Sequence, residues 1–256
     1  MARKILSYMF MAFVAAMFPA RAAQQALSHL DAAMTEASEA DSAYLRRIET
    51  IKARIPEALA DTMKLYRINK NIFEQYQFFK ADSAMTYIDR NMALAKASSD
   101  PALIWECVLQ KADVLARSGM FYISMRMLDE MKTPLPRRLL PDYYLLNYSI
   151  SQFAQEYAQD SEFEDYYFER KLAYADSIMQ VSEPADFNYR TVHAALLLER
   201  DGNCDAAEKY VKDVVADYRP GTRQYSILMS QLAFICGKSG DIEGQTRALA
   251  LSAASD

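Results

Sequence analysis

The chain has 256 residues, 52% hydrophobic, 25% charged and 12% aromatic, with a formal charge of −5. This is ordinary globular composition with ample material for a core. Six glycines and eight prolines are too few for a turn-rich β protein, and no Lys/Arg run offers a nucleic acid a basic stripe. Direct nucleic-acid contact by this segment is therefore not expected.

Residues 1–22 read as a secretory signal peptide. Arg3 and Lys4 form a positive start, Ile5–Phe18 is apolar except for Ser7, Pro19 ends the run, and Ala20-Arg21-Ala22 offers a small-x-small cleavage site. An uncleaved anchor is the alternative, but the run is shorter than the ~20 residues a spanning helix needs. No cysteine precedes Cys107, so the signal is not of the lipid-attachment type. The expected location is exported, periplasmic in a bacterial host. It could be the periplasmic part of an inner-membrane protein whose span lies downstream, since no second spanning run occurs before Asp256. Removing Arg3, Lys4 and Arg21 makes the remainder more acidic still.

Residues 23–57 are expected to hold one long helix, Ala26–Ile55, with Leu27, Leu30, Met34, Tyr44, Ile48 and Ile51 at helical spacing and Pro56 as the break. Residues 58–256 are expected to be helical repeats. Ala58–Phe79 places Leu65, Ile68, Ile72, Tyr76 and Phe79 on one face, and Asp82-Ser83 looks like the cap of a helix reaching about Ala97. Ser98–Pro101 caps a helix to Ser118, and Tyr122–Met131 pairs back. Thr133–Pro141, with three prolines, reads as a loop. Three helix pairs follow: Asp142–Gln159 with Glu164–Gln180, Phe187–Arg200 with Asp205–Asp217, and Arg223–Lys238 with Glu243 to the end.

A glycine-centred pattern organises these pairs. Gly119, Gly202 and Gly240 each end an apolar stretch. Alanine stands seven residues before each (Ala112, Ala195, Ala233), and an apolar residue four before (Leu115, Leu198, Cys236). Phe121, Cys204 and Ile242 come two after, then Leu128, Val211 and Leu249 nine after. Ser161 takes the turn position of the remaining pair, giving a period near forty residues. Such pairs bury their apolar faces only by stacking, so the expected fold is an all-α, right-handed α-solenoid of tetratricopeptide-like helix pairs. The pattern stops partway at Leu251–Asp256, as though the repeats continue.

The inventory argues against an enzyme: no catalytic residues, metal ligands or cofactor are expected. His29 and His193 lie in different repeats, and the chain has no H-E-x-x-H, C-x-x-C, G-x-S-x-G, Walker loop or G-x-G-x-x-G. The acids Asp160, Glu162, Glu164 and Asp165 sit at a helix start, where the dipole favours them. The three cysteines occupy apolar positions of the pattern. Buried free thiols and a Cys204–Cys236 bridge are both open. Tyrosine is plentiful at 17, with Tyr143, Tyr144, Tyr148, Tyr157, Tyr166 and Tyr167 concentrated in one stretch. Ring plus hydroxyl suits a partner-binding surface and equally an inter-helix core with hydroxyls at the rim.

The repeats resemble tetratricopeptide repeats, without the early tryptophan and with longer units. A closer likeness runs through Phe73–Ala84 (FEQYQFFKADSA) with Tyr87, Asn91, Met92, Leu94 and Ala95. It extends to Asp165-Tyr166-Tyr167 with Tyr174–Ser177, and to Leu30-Asp31, Arg47-Ile48 and Ile51-Lys52. In these the chain is similar to the tetratricopeptide-like N-terminal region of a Bacteroidetes family of membrane-anchored transcriptional regulators. The resemblance implies an exported repeat region followed by one span, a coiled coil and a cytoplasmic domain of unknown function. It carries no catalytic residues. The expected role is a non-catalytic binding region for a peptide or protein partner, the sensing part of such a regulator. A free periplasmic scaffold, or an envelope glycan-binding or glycan-processing protein using Glu162 or Glu164, are the alternatives.

Overall fold

The computed structural model describes residues 42–78, 80–159 and 161–255, and among these every regular element is a helix. The proposed signal peptide, and the part of the first long helix before residue 42, lie outside the described residues. Two compact units divide between residues 75 and 76.

In the first unit, helix α1 covers 42–52, a 3-10 turn covers Pro56–Ala58, and α2 begins at Thr62 and runs to Tyr76. The sequence reading started α2 at Ala58. Proline lacks the amide hydrogen that continuing α1 requires, so the chain makes a 3-10 turn over Pro56–Ala58 and restarts at Thr62. The new start is held by Asp61, whose Oδ1 accepts the Lys64 N–H at 2.9 Å. Ile48, Ile68, Ile72 and Phe73 are buried, and the Tyr44 hydroxyl donates to the Gln75 carbonyl.

The second unit contains α3 (Ala81–Ser98), α4 (Pro101–Arg117), α5 (Phe121–Asp129), α6 (Leu140–Tyr157), α7 (Glu164–Val181), α8 (Phe187–Glu199), α9 (Cys204–Val215), α10 (Arg223–Ser239) and α11 (Ile242–Ala253). From α4 onward consecutive helices pair as hairpins, and each second helix packs on the first helix of the next pair. The fold is an all-α, tetratricopeptide-like helical repeat.

Side-chain caps begin several helices. Asp100 accepts from the Ala102 N–H at 2.8 Å, Asn203 from Ala206 at 2.9 Å, and Asp241 from Gly244 at 2.9 Å. Asp82 does not cap α3 as the sequence suggests. Lys80 holds the cap position, and Asp82 lies inside the first turn, where its charge still suits the helix dipole. The proline-rich stretch is not wholly loop. It holds a 3-10 turn at Arg137–Leu139, and Pro141 sits in the first turn of α6, where no amide hydrogen is needed.

Gly119, Gly202 and Gly240 do mark the hairpin turns, at φ of +80°, +62° and +83°. Gly240 shows why the residue is glycine. It closes α10 in the left-handed region with open space around a would-be Cβ, so an alanine there meets only backbone strain. Gly240→Ala is expected to cost about 1–2 kcal/mol, read as a shift of the urea midpoint at unchanged slope. Ser161 turns the α6–α7 hairpin differently, its hydroxyl donating to the Ala158 carbonyl and accepting the Phe163 N–H.

The pattern slips in two places. Ala112 and Ala233 are buried, but at the middle turn the buried small residue is Ala194, not Ala195. Helix α8 ends three residues before its glycine, where α4 ends two before and α10 one before. In the last hairpin Ala248 is buried while Ile242 and Leu249 are exposed. Small residues let α11 lie close to α10: Ser252 Oγ meets Ser226 Oγ at 3.1 Å and Ser230 Oγ at 2.7 Å. Buried Ser124 plays the same part in α5, donating to the Ala112 carbonyl of α4 at 2.7 Å. All three cysteines are free thiols, with Cys107 and Cys236 buried, so Cys204 and Cys236 are not bridged. No helix among the described residues is long and apolar enough to cross a membrane.

Candidate functional site

The first helices of the hairpins carry two stripes each. One faces the core: on α10 it is Leu228, Met229, Leu232, Ile235 and Cys236. The other lines a groove of about 1250 Å³ in the second unit. On α6 that stripe is Leu145, Tyr148, Ser149, Gln152, Phe153 and Glu156, one helical face at three- and four-residue steps. Helix α8 contributes Phe187, Asn188, Thr191, Ala195, Leu198 and Glu199, and α10 contributes Arg223, Ile227, Gln231, Phe234 and Lys238. The last turn of α4 adds Asp113 and Arg117, and α7 adds Phe168 and Lys171.

The lining mixes rings, amides and charges. Gln152, Asn188 and Gln231 come from three successive first helices. The Gln231 amide donates to the Thr191 carbonyl at 2.8 Å, tying α10 to α8, while its Oε1 is buried without a donor. Phe234 is half exposed and Ile227 about a third. In the wall, Lys171 is only 3% exposed and its ammonium lies 2.7 Å from Glu199, with the Phe168 ring 5.1 Å away. Tyr148 stands beside this pair. Burial pushes its phenol well above the ordinary tyrosine range, and the Glu199 carboxylate adds to the shift. The hydroxyl therefore stays protonated, a donor rather than a base.

The six candidate tyrosines do not gather here; Tyr148 alone of them lines the groove. Tyr143 packs edge-on against Trp105 and Tyr144 against Tyr174, both within the inter-helix core. Tyr157 is 81% exposed with its ring against Phe121, and Tyr166 and Tyr167 meet edge-on at the start of α7. The sequence reading missed Gln152, Phe153, Asn188, Phe187, Gln231 and Phe234. Their signal was a second helical stripe on each first helix, offset from the apolar one.

Among the described residues one trio brings metal-type donors together: Glu208, Cys236 and Asp241, with ligand atoms within 4.8 Å of one another. Its charges already have partners. Lys212 lies 2.5 Å from Glu208, Asp241 caps α11, and burial pushes the Cys236 thiol up, away from the thiolate a metal needs. His193 packs edge-on against Tyr210 at 4.7 Å, a core arrangement.

The arrangement offers shape, stacking surface and hydrogen bonds, the properties of a recognition groove. No curated protein and no solved structure matches the chain. A family model described as the SusR N-terminal TPR domain matches residues 34–256. That span takes in every described helix of both units, so the chain belongs to the SusR N-terminal TPR domain family.

Proposed function

We propose that this chain is a non-catalytic, exported binding region, the partner-sensing part of a membrane-anchored regulator, and that its groove takes an extended peptide segment. The observation that carries this reading is that one groove is lined both by the amides of Gln152, Asn188 and Gln231 and by the rings of Phe153, Phe187 and Phe234. An extended peptide presents a donor and an acceptor at each residue, which amides match, and side chains that rings can cover. Family membership supports the choice, since tetratricopeptide-type repeats form protein-interaction surfaces. The signal-like N-terminus supports export. Binding would favour one arrangement of α8 against α10, whose tie is the Gln231–Thr191 bond, and so bias the region that follows.

Two measurements test it. Alkaline phosphatase fused after residue 60 is expected to be active in bacterial cells, as export requires; an inactive fusion overturns the exported reading. Pools of amidated octapeptides are expected to bind the full chain in fluorescence anisotropy. Gln152→Leu with Gln231→Leu should weaken that binding on the order of tenfold, as the loss of neutral hydrogen bonds implies. Binding to soluble oligosaccharides but to no peptide pool would instead favour the glycan reading.

A further inference from the structure

One end of the groove holds an arrangement that the amides do not explain. Phe78, in the FEQYQFFKADSA motif, follows α2 and is half exposed. Two guanidinium groups lie over its ring: Arg117 from the last turn of α4, at 4.5 Å from the ring centre, and Arg223 from the first turn of α10, at 3.6 Å. Residues more than a hundred positions apart thus converge on one aromatic ring. Bringing two cations together is costly, and the local anion supply does not cancel them. Asp113 pairs with the Arg117 Nη2, while Arg223 forms no ion pair among the described residues. The Nε and Nη1 of Arg117 are buried and find no acceptor. Burial also pushes the Asp113 carboxyl above its usual range against the pull of both arginines.

A guanidinium has a face and an edge. Its face stacks on aromatic rings, and its edge presents N–H groups in a fork that fits a carboxylate. Phe78 lies against both groups; Arg117 keeps Asp113 on its Nη2, while the edge of Arg223, exposed and without an ion pair among the described residues, is left to another partner. We propose that Arg117 and Arg223, held on Phe78, form an anchoring subsite for a carboxylate of the peptide in the groove. This rests on the peptide reading above and adds the charge that reading leaves open. Phe78 is a positioning residue. Asp113 competes with the incoming carboxylate for Arg117.

The test compares three pools of fluorescent octapeptides against the full chain: amidated and neutral, amidated with one fixed glutamate, and neutral with a free C-terminal carboxylate. At least one acidic pool is expected to bind more tightly than the neutral one. Arg223→Gln, at an exposed position that folding tolerates, should abolish the preference, a loss on the order of tenfold for one charge-assisted contact. Arg117→Gln should do the same, Asp113→Asn should strengthen acidic binding, and 0.5 M salt should weaken it. Which acidic pool responds tells a side-chain carboxylate from a chain terminus. Equal binding of all pools, unchanged in Arg223→Gln, overturns the subsite and leaves the peptide reading standing. If no pool binds, N-acetylglutamate is added in a thermal-shift titration. Stabilisation that Arg223→Gln removes keeps the anion site while the peptide reading falls. No stabilisation overturns both.

Discussion

Trp105→Ala is expected to destabilise the second unit by about 3–5 kcal/mol, the range for removing a buried tryptophan. The indole is 4% exposed and packs among Leu109, Leu139, Leu146 and Ile150. It also meets the Tyr143 ring edge-on at 6.2 Å, and its Nε1–H donates to the Thr133 carbonyl at 3.0 Å. One side chain thus joins α4 to α6 and fixes the start of the proline-containing connection ahead of the 3-10 turn at Arg137–Leu139. Trp105→Phe keeps the ring and loses the hydrogen bond. Because Thr133 is exposed and water can replace the donor, that variant should cost only about 1 kcal/mol more than its small loss of packing. Urea unfolding followed by far-ultraviolet circular dichroism measures both, since the chain has one tryptophan and its fluorescence vanishes with the substitution. Equal midpoints for Trp105→Ala and wild type would mean that the α4–α6 contact does not depend on this residue.

Glu199→Gln is expected to cost about 3 kcal/mol, near the lower end for breaking a buried ion pair, because Glu199 itself keeps some solvent contact. The penalty comes from what is left behind. Lys171 is almost wholly enclosed, and its ammonium would lose its counter-charge, keeping the Phe168 ring and a neutral amide oxygen in place of a carboxylate. The double change Lys171→Met with Glu199→Leu removes both charges and should restore most of the stability. Urea is the denaturant to use, because guanidinium chloride screens the pair. If the double variant is as unstable as Glu199→Gln alone, packing rather than charge is what the pair contributes. The same pair borders the groove, so the double variant also shows whether a rigid wall matters for peptide binding.

The groove and the helices were legible in the sequence to different degrees. Helix type and order followed from apolar spacing, and hairpin turns from Gly119, Gly202 and Gly240, because a left-handed turn residue is a local requirement that the sequence states directly. Boundaries moved where two local signals competed. At Pro56 the break was visible but the restart at Asp61 was not, and at Asp82 a capping residue type stood two residues inside the helix. The slip from Ala195 to Ala194 was not legible either, since which alanine of α8 turns inward depends on how that helix packs against its neighbours.

The site was less legible. Local tyrosine density drew attention to residues 143–167, but density along a chain does not say which face a ring takes. Tyr143 and Tyr144 went to the core and Tyr148 to the groove, because successive residues on a helix point about a hundred degrees apart. By itself the sequence determined the helical class, the repeat period, the turn positions and the family likeness. All of these rest on contacts between residues close in the chain. Tertiary structure alone decided that Gln152, Asn188 and Gln231 line one groove, that Lys171 finds Glu199, and that Arg117 and Arg223 meet on Phe78. These pairings join different hairpins, and which side chains come together there depends on how each pair stacks on the next, a rotation and rise that no local pattern encodes.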